Sequence, residues 1–116
     1  AGYLAYTEAA QRADMRACRE ALLRLGFKAP DHFAWPQGAW DDASMRVAQE
    51  LFSSNLTLAH PHNETLPVAD PARIRCWAPP SSVTGAQLTA EVDKAIAGGE
   101  WLIILFHNRP FGATVS

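Results

Sequence analysis

Hydrophobic residues in the first part of the chain recur at the spacing of a helix rather than a strand. Met15, Cys18, Leu22 and Leu25 fall at steps of three and four, which puts them on one face of a helix over residues 7–25. Gly26 follows, suited to the left-handed position just past a helix end. Phe33-Ala34-Trp35-Pro36 reads as a short strand stopped by proline. Ser44, Val47, Ala48, Leu51 and Phe52 share a face of a second helix, with Asp41 or Asp42 as its cap. A strand is expected over 56–59, a long surface loop over 60–73, a third strand over 74–77, and a Pro-Pro-Ser-Ser linker ending at Ser82. Thr84 and Gln87 form a capping-box pattern at the start of a last helix. On it Leu88, Val92, Ala95 and Ile96 are expected to be buried, each large aliphatic contributing about 1.5–3 kcal/mol. After Gly98-Gly99, the run Trp101-Leu102-Ile103-Ile104-Leu105-Phe106 is apolar at every position, the pattern of a strand covered by helices on both faces.

Helices alternating with short strands predict an α/β fold of parallel βα units joined by right-handed crossovers. Residues 1–116 are read as a single domain. The chain is 48% hydrophobic and 19% charged, an ordinary globular balance. Its net charge is −2, and its arginines are scattered among acidic residues, which excludes the basic stripe of a nucleic-acid binder. The longest apolar run, 102–106, is far shorter than the ~20 residues a membrane span needs. The start, Ala1-Gly2-Tyr3-Leu4, has no initiator Met and no signal pattern, and is expected to be a cut. Cys18 and Cys76 have neither metal-ligand spacing nor a disulfide framework, and both are expected to be free thiols.

Few residues are placed for chemistry. His107 follows the run 102–106, so it is expected at the C-terminal end of a parallel strand, the active-site face of a βα barrel. An imidazole there is suited to protonating a leaving group; position alone equally allows a histidine that only hydrogen-bonds a loop carbonyl. The turn Trp35-Pro36-Gln37-Gly38-Ala39-Trp40-Asp41 can aim backbone N–H groups at an oxyanion, although a plain βα loop is the simpler reading. His60-Pro61-His62 with Asn63 and Glu64 offers the donor types of a metal site, but the proline between the two imidazoles holds the rings apart, against a shared metal. Trp35, Trp40 and Trp77 are candidates for lining a sugar groove, and Trp101 for the core. Asn55-Leu56-Thr57 and Asn63-Glu64-Thr65 match the glycosylation triplet, a pattern too common to carry weight.

Taken in order, these segments resemble the polysaccharide deacetylase (NodB-like) family of carbohydrate esterases. The first helix with Gly26 resembles the family's helix after its histidine motif. Ala34-Trp35-Pro36-Gln37-Gly38 leading into Trp40-Asp41-Asp42 resembles its strand-end segment, Arg73-Ile74-Arg75 its arginine-containing strand, and Thr84 through Ile96, Gly98-Gly99 and Trp101 to His107 its closing helix, turn and Leu-Phe-His strand. The resemblance implies the C-terminal part of a distorted, TIM-barrel-like (β/α) barrel from a hydrolase of carbohydrate metabolism. Such an enzyme removes acetyl groups from N- or O-acetylated polysaccharides or oligosaccharides, in a secreted, periplasmic or cell-envelope setting.

By the same resemblance, His107 matches the family's acid toward the leaving amine or alkoxide, and Leu105 the leucine around the acetyl methyl. Gln37 stands where a tyrosine's backbone N–H helps hold the oxyanion, and Trp35 and Trp77 are expected against the sugar. The complete enzymes use a divalent metal, commonly zinc. This chain has no Asp-Asp-Gly segment and no His-x-x-x-His pair, and Ala34 replaces an arginine found in many members. It is therefore expected to be a fragment that holds no metal and is inactive alone, completed by a missing N-terminal part or by homo-oligomerisation. The alternative is a non-catalytic module that binds glycan or serves as an oligomerising structural domain.

Overall fold

The computed structural model describes residues 2–59 and 61–107. It divides into two compact units, one formed by Ala1–Thr57 with Asp70–Ile74 and the other by Leu58–Ala69 with Arg75–Ser116. The secondary structure is mixed: three α-helices and a three-stranded sheet of order β1-β2-β3. The parallel βα character is present; closure into part of a barrel is not seen among the described residues. No helix among them is long and apolar enough to cross a membrane.

In the first unit, helix α1 spans Glu8–Arg24. The Thr7 hydroxyl caps it by accepting from Ala10 N–H, and Glu8 and Arg24 sit at the ends where the helix dipole favours their charges. Gly26 takes φ +88°, with Gly26 N–H donating to Leu23 O and Phe27 N–H to Leu22 O. These are the two bonds of a Schellman stop, and they require the left-handed residue predicted there. The buried face differs from the expected one. Gln11 and Met15 are buried, whereas Cys18 and Leu25 are exposed. The reason is that α1 packs against one helix, α2, which covers only a narrow stripe of it.

Strand β1 (His32–Ala34), helix α2 (Asp42–Leu51) and strand β2 (Ser54–Leu58) form a βαβ unit. The strands are parallel, with Phe33 opposite Asn55, as a helical crossover demands. Asp41 Oδ1 accepts Ser44 N–H at 2.8 Å while Ser44 Oγ accepts Asp41 N–H at 2.9 Å. This reciprocal cap starts α2 where the sequence places it. Met45, Val47, Ala48 and Phe52 then face Met15, Trp35 and Ala72 in one core. Phe33 stacks on Phe52 at 5.0 Å and meets Trp35 edge-on at 5.1 Å. Strand β3 (Ile74–Cys76) follows a short 3-10 turn, and Thr57 Oγ1 donates to Ile74 O. Asn55 and Thr57 are both buried in β2, which removes the triplet Asn55-Leu56-Thr57 from reach of any glycosylating enzyme in the folded chain.

In the second unit, helix α3 spans Gly85–Gly98 and opens with the predicted box: Gln87 N–H donates to Thr84 Oγ1, and Thr84 N–H to Gln87 Oε1. Gly99, in the left-handed conformation, closes it. Two expectations fail here. On α3 only Ala95 is buried; Val92 and Ile96 are exposed. The run 101–106 is not a doubly covered strand. It is tied by one antiparallel bridge, Glu64 to Trp101, and one parallel bridge, Trp77 to Ile104. Trp101, Leu105 and Phe106 are exposed, so Trp101 is not a core residue. A strand hidden on both faces needs helices on both, and among the described residues this unit has one.

Candidate functional site

The parallel bridge of Trp77 with Ile104 lies just before His107 in the chain. Trp77 N–H donates to Ile103 O at 2.9 Å, and Leu105 N–H donates to Trp77 O at 2.8 Å. Residues 103–105 therefore run parallel to the end of β3, and His107 lies two residues beyond the last of these bonds. Its side chain is exposed, and so is that of Leu105. Of the residues singled out from the sequence, the second unit thus brings Trp77 and Leu105 into direct backbone contact, with His107 next in line.

The others belong to the first unit. Trp35 is 5% exposed and packs in the core, so its ring offers no face to a sugar in this conformation. Burial against Phe33 and Phe52 outcompetes exposure for so large an apolar surface. Trp40 is half-buried beneath the Arg73 guanidinium, 5.2 Å from its ring. Gln37 sits at φ +57° inside the turn Pro36–Gly38, a left-handed conformation uncommon for a residue with a side chain. Gly38 N–H and Ala39 N–H are engaged within that turn, on Trp35 O and Pro36 O. Gln37 N–H is the one left over from those turn bonds.

The most organised polar cluster centres on Glu64, which the sequence offered only beside His60 and His62 as a metal candidate and not as a partner of Arg75. Glu64 is buried, and its carboxylate accepts Thr65 N–H at 2.9 Å, Arg75 N–H at 2.9 Å, Arg75 Nη2–H at 3.1 Å and Arg75 Nε–H at 3.3 Å. Burial alone raises a carboxylate pKa, but the bonds from Arg75 and Thr65 outweigh it and hold Glu64 below the ordinary glutamate range. Glu64 thus stays ionised in the interior, as only a fully hydrogen-bonded charge can.

Beside it, His62 Nε2 lies 2.9 Å from Glu91 Oε2, and the imidazole stacks on the Trp77 indole with centroids 5.0 Å apart. Lys94 Nζ contacts the other oxygen of Glu91 at 2.5 Å. Glu91 is held below its ordinary range, first by the Lys94 hydrogen bond and then by His62. An ionised carboxylate only accepts, so His62 Nε2 is the donor. Asn63 Nδ2–H donates to Glu100 Oε2 at 2.8 Å. His62, Asn63, Arg75, Glu91, Lys94 and Glu100 line an open cleft of about 510 Å³.

The Glu91–Lys94 pair was legible as an i,i+3 spacing on a helix. The partnerships of His62 with Glu91 and of Glu64 with Arg75 were not, because loop closure brings them together across 29 and 11 positions of sequence. His60 of the His60-Pro61-His62 segment lies outside the described residues. His62 faces a carboxylate and an indole, and no three His, Cys, Asp or Glu side chains converge among the described residues. Comparison with protein-family models, with curated proteins and with solved structures finds no match to this chain.

Proposed function

We propose that this chain is the C-terminal, substrate-facing part of a carbohydrate deacetylase of the NodB-like kind, in which His107 protonates the leaving group. The observation that carries the proposal is the parallel bridge of Trp77 with Ile104. It supports a place for His107 at the C-terminal rim of neighbouring parallel strands, where βα enzymes keep their catalytic side chains. The exposure of that imidazole is what a proton donor to a bound substrate requires.

In this role a protonated His107 gives a ring N–H proton to the amine nitrogen or alkoxide oxygen as its bond to the acetyl carbon breaks. The leaving group departs neutral and the imidazole is left neutral. Leu105, exposed two residues earlier, bounds the acetyl methyl. Water activation requires groups the described residues do not provide, so the proposal covers leaving-group protonation and substrate contact.

The test is deacetylation of an N-acetylated chito-oligosaccharide by the protein extended upstream of Ala1, supplied with a divalent metal. His107→Ala is expected to lower kcat by roughly 10²–10⁴-fold, the usual contribution of a positioned acid. Activity unchanged in that variant overturns the proposal. Sugar binding without activity in either form identifies a non-catalytic glycan-binding module instead.

A further inference from the structure

We infer that the cleft at His62, Asn63, Arg75, Glu91, Lys94 and Glu100 is a binding subsite for a neutral sugar. It deepens the glycan reading above, adding a subsite beside the one proposed at Leu105 and His107, and so rests on that reading. The volume, about 510 Å³, falls within the roughly 300–1,000 Å³ of small-molecule sites.

The class of ligand follows from how the charges are arranged. Arg75 and Lys94 balance Glu91 and Glu100 on the walls, and each is already engaged: Arg75 by Glu64 beneath it, Lys94 by Glu91, Glu91 also by His62, and Glu100 by Asn63. An anion entering the cleft could use only the spare N–H groups and would meet the carboxylates of Glu91 and Glu100, and a cation could use only the spare carboxylate oxygen and would meet Arg75 and Lys94. Among the described residues, what remains open is an alternation of spare donors and acceptors. Arg75 Nη1 takes no part in the bonds to Glu64, Lys94 has two further N–H bonds, and Glu100 Oε1 is not used by Asn63. Hydroxyl groups donate and accept at once, so a polyol matches such a surface without breaking an ion pair.

A second depression adjoins the first, sharing Glu91 and Lys94, with an apolar flank of Trp77, Pro80 and Val83. Sugars have the same two-sidedness, with hydroxyl edges and C–H faces, and an indole suits the latter. Trp77 links both halves, since His62 stacks on its ring and Leu105 bonds to its carbonyl.

The test titrates the 116-residue chain with cellotriose and with triacetylchitotriose, followed by backbone and indole NMR shifts. Saturable shifts at Asn63, Arg75, Glu91, Lys94 and the Trp77 indole are expected with both sugars. Glu100→Ala and Lys94→Met, which remove a spare acceptor and a spare donor, are each expected to weaken binding about five-fold, the loss of one hydrogen bond, with shifts elsewhere in the spectrum confined to the neighbours of the replaced residue. Lack of saturation at millimolar sugar overturns the inference, as does unchanged affinity in both variants or stronger binding of glucuronate or phosphate at the same residues. Shifts confined to 103–107 with acetylated sugar alone remove this subsite and leave the deacetylase proposal standing. Equal binding of both sugars in the cleft, together with full activity of His107→Ala in the extended protein, does the reverse.

Discussion

Replacing Glu64 by Ala removes the acceptor of two backbone N–H groups and of the Arg75 guanidinium in one step. Breaking a buried ion pair by deleting one partner costs roughly 3–5 kcal/mol, because the other charge is left uncompensated. Arg75 keeps 22% of its side chain exposed, so water takes over part of its solvation and the lower end applies, about 3 kcal/mol. Thermal unfolding of a chain this size should then shift down by on the order of 10–20 °C.

The charge dependence gives an independent check. The folded-state pKa of Glu64 is depressed, so its contribution is present above the ordinary glutamate value, about 4.3, and is lost as pH falls through the lower folded value. Glu64→Gln should therefore be less stable than the parent at pH 7 and should lose less stability between neutral pH and pH 3. Chemical denaturation at both pH values measures this. A Glu64→Ala variant within about 0.5 kcal/mol of the parent, as expected of an ordinary surface change, would refute the claim that Glu64 and Arg75 form a buried pair that is costly to break. So would a Glu64→Gln variant with the parent's full acid sensitivity.

Three further outcomes follow from named positions. Thr84→Ala should cost about 1 kcal/mol by opening the cap of α3, read as a lower denaturation midpoint at unchanged slope. Ile96→Ser should change stability by less than about 0.5 kcal/mol in the monomeric chain, since Ile96 is exposed; a loss near the 1.5–3 kcal/mol of a buried aliphatic would show that this face is covered in solution. With a thiol reagent at neutral pH, Cys18 should label quickly and Cys76 slowly, because Cys18 is exposed while burial pushes the Cys76 thiol pKa up. Equal rates would contradict that difference.

Local chemistry was readable from the residues alone. Thr7, Asp41 with Ser44, and Thr84 with Gln87 start their helices, and Gly26 and Gly99 stop them, because capping is settled within a few residues by backbone groups that have no other partner. The alternation of these helices with short strands likewise announced parallel pairing, which β1 and β2 show. Burial was a different matter. Periodicity identified an apolar stripe on α3 and an apolar run at 101–106, but a stripe is buried only if another element lies over it, and one helix cannot cover both faces of a strand. Trp35 illustrates the converse, a residue expected at a groove whose large apolar surface is taken up by the core around Phe33 and Phe52.

The pairings of Glu64 with Arg75 and of His62 with Glu91 and Trp77 depended on how the loop after β2 returns against β3 and α3 within the second unit. No residue type or spacing encodes that closure, because hydrogen bonds between distant side chains are made only once the backbone has brought them within about 3 Å. The sequence by itself therefore determined where helices begin and end and that the strands run parallel. The tertiary structure alone decided which apolar faces are hidden and which charges meet.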